Sequence, residues 1–465
     1  MIILALALFF LREEKMSTIV SISTAPGIGG IGIIRMSGKE TFKILEKIFK
    51  AKIHQDISEI NGYSIKYGHI VDGENIIDEV LVSYFKAPKS YTTEDMCEIN
   101  SHGGIIIMKK ILEICLKNGA ELAEPGEFTK RAFLGGRIDL SQAESIIDII
   151  NAKSEREAKE GVKQLNGFLS EKIKEIKKDL IEIMTNIEVS IDYPEYDTPD
   201  VTFTEIIDKI NVSRKRLEEL KNSFDNGKII KEGIKTVIIG KPNAGKSSLL
   251  NAILKEDRAI VTEIEGTTRD TIEEFVNING IPLKIIDTAG IREAKDEVEK
   301  IGIEKSKKLA ENADLIIAII DASKELTEED FEILEIAKKR KAIIVLNKSD
   351  LRQKITSENP KLKDFNNNLI NLSAKNKTGL NLLFNKITNM FNLNEINFDN
   401  DVVITNERHK NLISKAIENL NKAEEIINTG MPIDIVEISL KDVLNNLGSI
   451  TGEEAGEEII NEIFS

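Results

Sequence analysis

The sequence predicts a multidomain chain of α+β and α/β class. A small α+β domain comes first, then a helical bundle, with a parallel-sheet α/β unit inserted into that bundle. Three observations carry this expectation. Short β-branched runs broken by glycine turns fill the start, and apolar residues at helical spacing take over after about Asp139. From Gly233 apolar strands alternate with helical stretches, the pattern of a parallel sheet with crossover helices. Helical text returns at about Thr405, so helices flank the α/β unit on both sides in the chain.

Composition sets outer limits. A chain of 465 residues fits about three domains. Lys+Arg is 63 against Asp+Glu 78, a net charge of −15, which argues against attachment to nucleic acid by bulk charge alone. With 41% hydrophobic and 30% charged residues the chain is too apolar for disorder. Cys97 and Cys115 are too few for a disulfide framework, and no CxxC or Cys/His cluster marks structural zinc. Both read as buried thiols in a reducing cytoplasm.

Met1–Leu11 is apolar but shorter than the ~20 residues a membrane helix needs. It also lacks the basic start of a signal peptide, and Arg12-Glu-Glu-Lys15 follows it. Met16 is therefore read as the true start, residues 1–15 as an upstream extension, and no stable membrane association is expected. Residues 16–135 then form the α+β domain. Its strands lie at Thr18–Thr24, Ile31–Ile34, Tyr63–Val71 and Glu79–Phe85, and its helix at Gly104–Asn118. The helical domain takes residues 136–231, where Ile173, Ile176, Leu180, Ile183 and Ile187 step by three and four along one core-facing stripe. Tyr193-Pro-Glu-Tyr-Asp-Thr-Pro199 interrupts it, and a further helix runs to about Asp225. The inserted unit takes 232–393, with strands at Thr236–Gly240, Leu283–Thr288, Leu315–Asp321 and Ala342–Asn347. Asn-rich stretches such as Asn366–Asn368 read as loops, and 394–465 returns to the helical domain.

Chemistry concentrates in the inserted unit. Gly240-Lys-Pro-Asn-Ala-Gly245-Lys246-Ser247 fits G-x-x-x-x-G-K-[ST] between a strand and the helical start at Ser248. Asn243, Ala244 and Gly245 offer backbone N–H groups to phosphates, Lys246 reaches the β and γ phosphates, and Ser247 suits Mg²⁺. Asp287-Thr288-Ala289-Gly290 ends a later strand; Asp287 can hold Mg²⁺ through water and the Gly290 N–H can meet the γ-phosphate. Asn347-Lys348-Ser-Asp350 ends another, where the Asp350 carboxylate can accept both N–H groups of a guanine edge. Adenine lacks that donor pair, so the site selects GTP over ATP. Ser373-Ala374-Lys375 follows at the next strand end. Four such motifs in order make this unit a P-loop GTPase domain with a Ras-like parallel sheet. The position where Ras-type enzymes carry a water-orienting Gln is Ile291, and no arginine finger is identifiable, Arg269 and Arg292 being candidates only.

Around this unit stand Pro26-Gly-Ile-Gly-Gly-Ile-Gly-Ile33, Ser101-His-Gly-Gly104, Pro125-Gly-Glu-Phe-Thr-Lys-Arg-Ala-Phe133, Asp139-Leu-Ser-Gln-Ala-Glu144 and Gly266-Thr-Thr-Arg-Asp270. With them the chain, from Met16 to Ser465, resembles the bacterial MnmE (TrmE) tRNA-modification GTPase family. The resemblance implies a homodimer whose N-terminal α+β domain binds 5-formyl- or methylene-tetrahydrofolate. It implies work with the FAD protein MnmG, in a heterotetramer or larger complex, on C5 of the wobble uridine of tRNA. It also implies hydrolysis activated by K⁺, held by the Asn243 side chain and backbone groups of Thr262, Ile264 and Thr267, taking the place of an arginine finger. Glu263, Glu265 and Gly266 would line the nucleotide in the same loop, and Thr268 would complete the Mg²⁺ shell. Glu299 would act as general base through water, which answers Ile291. Arg35, Glu98 and Arg137 would bind the folate, a glutamate suiting the pterin edge and cations its carboxylate tail.

Two departures from the family pattern stand out. Ile28 replaces an arginine in the Gly-rich turn. The family pattern continues beyond Ile463-Phe-Ser465 with x-Phe-Cys-Ile-Gly-Lys, a tail expected to matter for modification and not for GTP hydrolysis. The same nucleotide motifs also occur in regulatory GTPases of ribosome assembly. Those carry a basic RNA-binding block that this sequence lacks.

Overall fold

The structure, a computed structural model, describes residues 17–52, 62–192, 203–255, 274–278, 281–286, 308–391, 403–453 and 463–464. The chain divides into two compact units, Met1–Glu144 with Thr451–Ser465, and Ser145–Ile450.

In the first unit β1 (Ile19–Ile22), β2 (Gly32–Ser37), β3 (Phe49–Ala51), β4 (Tyr63–Asp72), β5 (Asn75–Phe85), β6 (Met96–Ser101) and β7 (Glu121–Leu122) form a seven-stranded sheet. Its order is β3-β4-β5-β6-β2-β1-β7, antiparallel at every pairing but β1 with β7. The helices α1 (Thr41–Ile48) and α2 (Ile105–Lys117) pack on it, and α3 (Glu127–Leu134) follows. Val20, Ile34, Met36, Val82 and Ile99 of the sheet meet Leu45, Met108 and Ile111 of the helices in one core. Glycine is required at Gly103, where a β-carbon would lie 2.5 Å from the Gly29 carbonyl oxygen, while one on Gly32 would press on the Met108 side chain, 2.2 Å from its Sδ. The Gly-rich turn and the Ser101-His-Gly-Gly104 motif therefore meet backbone to backbone, with Gly29 N donating to Gly103 O at 3.4 Å. Strands β3, β6 and β7 were not anticipated; β6 carries Glu98 and Asn100 within six residues and reads weakly as a strand. Cys97 and Cys115 are buried free thiols, as expected.

The helices α4 (Leu140–Ile150), α5 (Glu155–Leu165), α6 (Phe168–Asp192), α7 (Phe203–Asn222) and α8 (Phe224–Glu232) come next. A second sheet follows: β8 (Ile234–Gly240), β9 (Glu274–Ile278), β10 (Ile281–Ile285), β11 (Leu315–Asp321), β12 (Ala342–Asn347) and β13 (Leu369–Asn371), ordered β13-β12-β11-β8-β10-β9. The helices α9 (Lys246–Leu254), α10 (Glu328–Ala337) and α11 (Leu380–Met390) belong to this part, and α12 (Glu407–Asn428) and α13 (Ile433–Thr451) follow it. β8, β11 and β12 are apolar almost throughout, because helices cover both faces of the sheet.

The expectation of a parallel sheet needs correction at one edge. β9 pairs antiparallel with β10, since two residues join them and a parallel pairing needs a long crossover. Asn366–Asn368 is likewise no loop but the end of a 3-10 helix, Pro360–Asn368, whose three-residue period puts Leu362 and Phe365 on one buried side. The α6 stripe is core: Ile173, Ile176, Leu180, Ile183 and Ile187 meet Ile210 and Leu217 of α7 and Ile413, Leu420, Leu440 and Val443 of α12 and α13. This core thus draws on residues 169–224 and 404–450, on either side of the sheet in sequence. Among the described residues no helix is long and apolar enough to cross a membrane. Residues 1–16 and the break at 193–199 lie outside the described residues.

Gly227 of α8 tests the packing, because a β-carbon there would sit 2.1 Å from the Ile404 carbonyl oxygen. Gly227→Ala is expected to destabilise the helical core by about 1–3 kcal/mol, read as a lower urea midpoint in far-ultraviolet circular dichroism. An unchanged midpoint would show that this contact is not tight.

Candidate functional site

β8 ends at Gly240 and α9 begins at Lys246, with the phosphate loop between them. Asn243 and Gly245 take left-handed backbone angles, φ 60° and 106°, which turn the loop toward the start of α9. A β-carbon at Gly245 would lie 2.1 Å from Asn347 Nδ2, so the tip admits no side chain. Asn347 is itself buried at the end of β12 and bridges two loops. Its Nδ2 donates to the Ala244 carbonyl at 2.8 Å, and its Oδ1 accepts from Ala374 N at 3.0 Å. Lys246 Nζ donates to the Gly240 and Lys241 carbonyls at 2.6 and 2.9 Å, and burial pushes its pKa down. Ser247 and Ser248 stand in the first turn of α9, where backbone N–H groups and the helix dipole favour an anion.

The other end of the site is built for a base. Ser373 Oγ donates to Asp350 Oδ1 at 2.6 Å, and this bond, aided by Lys375 and Lys348, holds the Asp350 carboxyl below its ordinary value. An ionised, exposed carboxylate aimed by a buried serine is an acceptor for paired N–H donors. Lys348, at φ 64°, places Nζ 2.7 Å from Asp321 Oδ2. Burial opposes ionisation of Asp321, but Lys348 and Ser323 outweigh it and its pKa is lowered. Asn243, Ala244, Gly245, Lys246, Ser247, Ser248, Asn347, Lys348, Asp350, Ser373, Ala374 and Lys375 thus stand at the ends of β8, β12 and β13, in the loops that follow them or in the first turn of α9. Thr262, Glu263, Ile264, Glu265, Gly266, Thr267, Thr268, Arg269, Asp287, Thr288, Ala289, Gly290, Ile291, Arg292 and Glu299 lie outside the described residues. Among the described residues no group of three or more His, Cys, Asp or Glu is placed to hold a metal.

A second cluster lies in the seven-stranded sheet. Arg35 of β2 and Glu98 of β6 are cross-strand partners, with Nη2 and Nε donating to Oε1 at 2.7 and 2.9 Å. Glu98 Oε2 takes no hydrogen bond among the described residues. The Arg35 guanidinium lies 5.1 Å from the Tyr91 ring centre and 5.6 Å from that of Phe128, and Arg137 lies 4.5 Å from Tyr91. Arg35 and Arg137 therefore meet around one tyrosine, and Glu98 joins them through Arg35. Tyr91 and Phe128 were not singled out, although Phe128 lies within the Pro125–Phe133 motif. Arg131 of that motif is buried and pairs with Glu94 and Glu127, so it shapes the wall. Burial pushes the Cys97 thiol up, and Cys115 to about 12, so both are inert.

Known proteins resemble the chain along nearly its whole length. A family model described as "MnmE helical domain" matches residues 140–465, and one described as "GTP-binding protein TrmE N-terminus" matches residues 18–137. The chain is 51% identical over 447 residues to "tRNA modification GTPase MnmE" of Clostridioides difficile (strain 630), covering 96% of this chain and 97% of that protein. It is 50% identical over 455 residues to the protein of the same name from Acetivibrio thermocellus, covering 97% and 98%. Among solved structures, the G domain of the T. maritima FeoB iron transporter is 24% identical with a TM-score of 0.26, over 34% of this chain and 98% of that one. That likeness is too weak to carry the fold.

The Ser101-His-Gly-Gly104 motif yields a titration test. His102 Nδ1 lies 2.7 Å from Asp78 Oδ1, and this hydrogen bond and charge raise its pKa above the ordinary 6.5. A raised folded-state value means the pair contributes fully below pH 6.5 and is lost as pH climbs through the folded value. In an NMR titration His102 is expected above 6.5, and Asp78→Asn should lower it. Identical titration curves for the two proteins would show that Asp78 does not act on the ring.

Proposed function

This chain belongs to the MnmE family of tRNA modification GTPases, and we propose that its GTP hydrolysis serves C5 of the wobble uridine. There it installs an aminomethyl or carboxymethylaminomethyl group on certain tRNAs in the cytoplasm, as a homodimer complexed with MnmG. The observation that carries this reading is the coexistence of two sites in one chain. One is a guanine-nucleotide site, the other a cluster of cations, carboxylate and aromatic rings in the N-terminal sheet.

At the nucleotide site, Lys246 and the N-terminus of α9 serve the phosphates, and Asp350, held ionised by Ser373, serves the guanine edge. ATP would leave that carboxylate unpaired. The residues suit a triphosphate, since the loop leads into the N-terminus of α9, where Lys246 and the first backbone N–H groups offer positive charge and donors. Ser247 and Thr268 are the proposed Mg²⁺ ligands, with Asp287 acting through water. Asn243 with the backbone of Thr262, Ile264 and Thr267 is the proposed K⁺ site. Bound there, K⁺ supplies positive charge against the oxygen between the β and γ phosphates. Glu299 is assigned the general-base role through water, and Asp287-Thr288-Ala289-Gly290 is assigned to the γ-phosphate.

The donor set at Arg35, Glu98 and Arg137 fits a tetrahydrofolate. Glu98 Oε2 suits the pterin N–H edge, the rings of Tyr91 and Phe128 suit its flat face, and the arginines suit its carboxylate tail. Homodimer formation is supported by exposed Tyr63, Ile65 and Tyr67 on β4, with Leu81 directly opposite Tyr67 on β5. Such a face marks an interaction surface. We assign 16–135 to the folate and dimerisation domain, 136–231 and 394–465 to the helical domain, and 232–393 to an inserted GTPase domain. The shared helical core of 169–224 with 404–450 supports the insertion.

Deleting the gene is expected to remove C5-aminomethyl-type wobble uridines from bulk tRNA, as measured by nucleoside mass spectrometry. The wild-type gene should restore them, and Lys246→Ala should not. An unchanged profile, in a parent strain shown to contain those uridines, would favour a ribosome-assembly GTPase instead. Turnover is also expected to be at least tenfold faster in K⁺ than in Na⁺, and Asn243→Ala should erase the difference. Equal wild-type rates in the two salts would refute the K⁺ assignment.

A further inference from the structure

The second residue of the phosphate loop is anchored from outside the loop. Lys241 Nζ lies 2.6 Å from Asp330 Oδ2 and donates to Thr327 Oγ1 at 2.8 Å. Thr327 and Asp330 are the N-cap and third residue of α10, joined in a capping box in which Thr327 N donates to Asp330 Oδ2 at 2.9 Å. That box caps the helix without any lysine. Asp330 is nonetheless 1% exposed, and its Oδ1 has no hydrogen-bond partner among the described residues. A buried carboxylate so placed relies on its cation, because an uncompensated charge away from water is unfavourable.

The anchor leads to the phosphate-binding lysine. The Lys241 carbonyl accepts from Lys246 Nζ at 2.9 Å and from Ala244 N at 3.3 Å. Gly240, just before it, is fixed by strand register, paired with Ile319 of β11. Past Gly240 the sheet no longer holds the chain, and the Lys241 side chain is the tie that follows. We propose that Asp330 is a positioning residue for the nucleotide site. Acting through Lys241, it holds the phosphate loop in the shape that receives a nucleotide. The loop is thereby preorganised, so nucleotide binding does not have to order it.

The full chain tests this with Lys241→Met, Asp330→Asn, the double variant and Lys241→Arg, each measured for melting temperature and for GDP affinity. Each single variant except Lys241→Arg is expected to bind GDP about tenfold more weakly, equivalent to ~1.4 kcal/mol. Lys241→Met should also melt lower, since it strands a buried charge. The double variant removes that charge, so it should recover the melting temperature without recovering affinity. Lys241→Arg, which keeps the cation, should recover both. A double variant that regains wild-type affinity along with its stability would reduce the pair to a structural contact and overturn the proposal. So would wild-type GDP affinity in Asp330→Asn.

Discussion

The parallel register of three adjacent strands governs the nucleotide site. β8 pairs with β11 so that Gly240 lies beside Ile319, and β11 pairs with β12 so that Asp321 lies beside Asn347. All three strands therefore finish at one edge of the sheet, and the loops that leave them have to meet there. The strands hold this register because they are almost wholly apolar and covered on both faces, so sliding one would expose no alternative polar face to stabilise the shift. In β11 and β12 the polar residue comes last and is itself buried. Asp321 and Asn347 are the last residues of their strands, and both are spent on holding the site together. Asn347 bridges the loops after β8 and β13, while Asp321 fixes Lys348.

A different constraint builds the cluster in the N-terminal unit. There the pairing is antiparallel, and Arg35 and Glu98 stand directly opposite on β2 and β6, where side chains of paired residues come close. The same pairing brings Gly32 opposite Ser101, and the loops beyond each strand touch through Gly29 and Gly103. One sheet register thus sets both the ion pair and the glycine contacts, and any side chain at Gly103 would push the loops apart. The Pro125–Phe133 motif closes the cluster by a separate device. Buried Arg131, held by Glu94 and Glu127, fixes the helix from which Phe128 reaches Arg35.

What the sequence made legible follows from how local the chemistry is. The phosphate loop and Asn347-Lys-Ser-Asp350 can be read directly because each function sits within a few consecutive residues. The α6 stripe can be read because helical periodicity is local as well. Tyr91 could not be read, because its significance comes from two arginines far away in the chain. Asp330 was hidden for a similar reason, since it looks like an ordinary capping residue until Lys241 is seen against it. Strand β6 was obscured by Glu98 and Asn100, and the direction of β9 by a junction too short to show in periodicity. Asn366–Asn368 misled because asparagine favours turns in isolation, whereas buried Leu362 and Phe365 decide this segment.

The join between helices and the second sheet is itself packed. α8 leads into β8 through Gly233, at φ 76°, where a β-carbon would meet the Pro282 carbonyl oxygen at 2.6 Å. α8 packs on β10, and Lys153, which precedes α5, lies 3.7 Å from the ring centre of Phe275 on β9. Lys231 of α8 is in turn paired with Asp148 of α4 at 2.8 Å. The β9–β10 hairpin therefore has two neighbours of different character, the nucleotide-bearing strand β8 and the helices. In sequence it lies between the Thr262–Thr268 segment and Asp287–Gly290. A flexible linker would let the sheet and the helical bundle move independently. Instead a glycine that admits no side chain meets Pro282 of β10, a cation over a ring ties the segment before α5 to β9, and an ion pair joins α8 to α4. The antiparallel edge that departs from the expected parallel pattern is thus packed against α8 and against the segment that precedes α5.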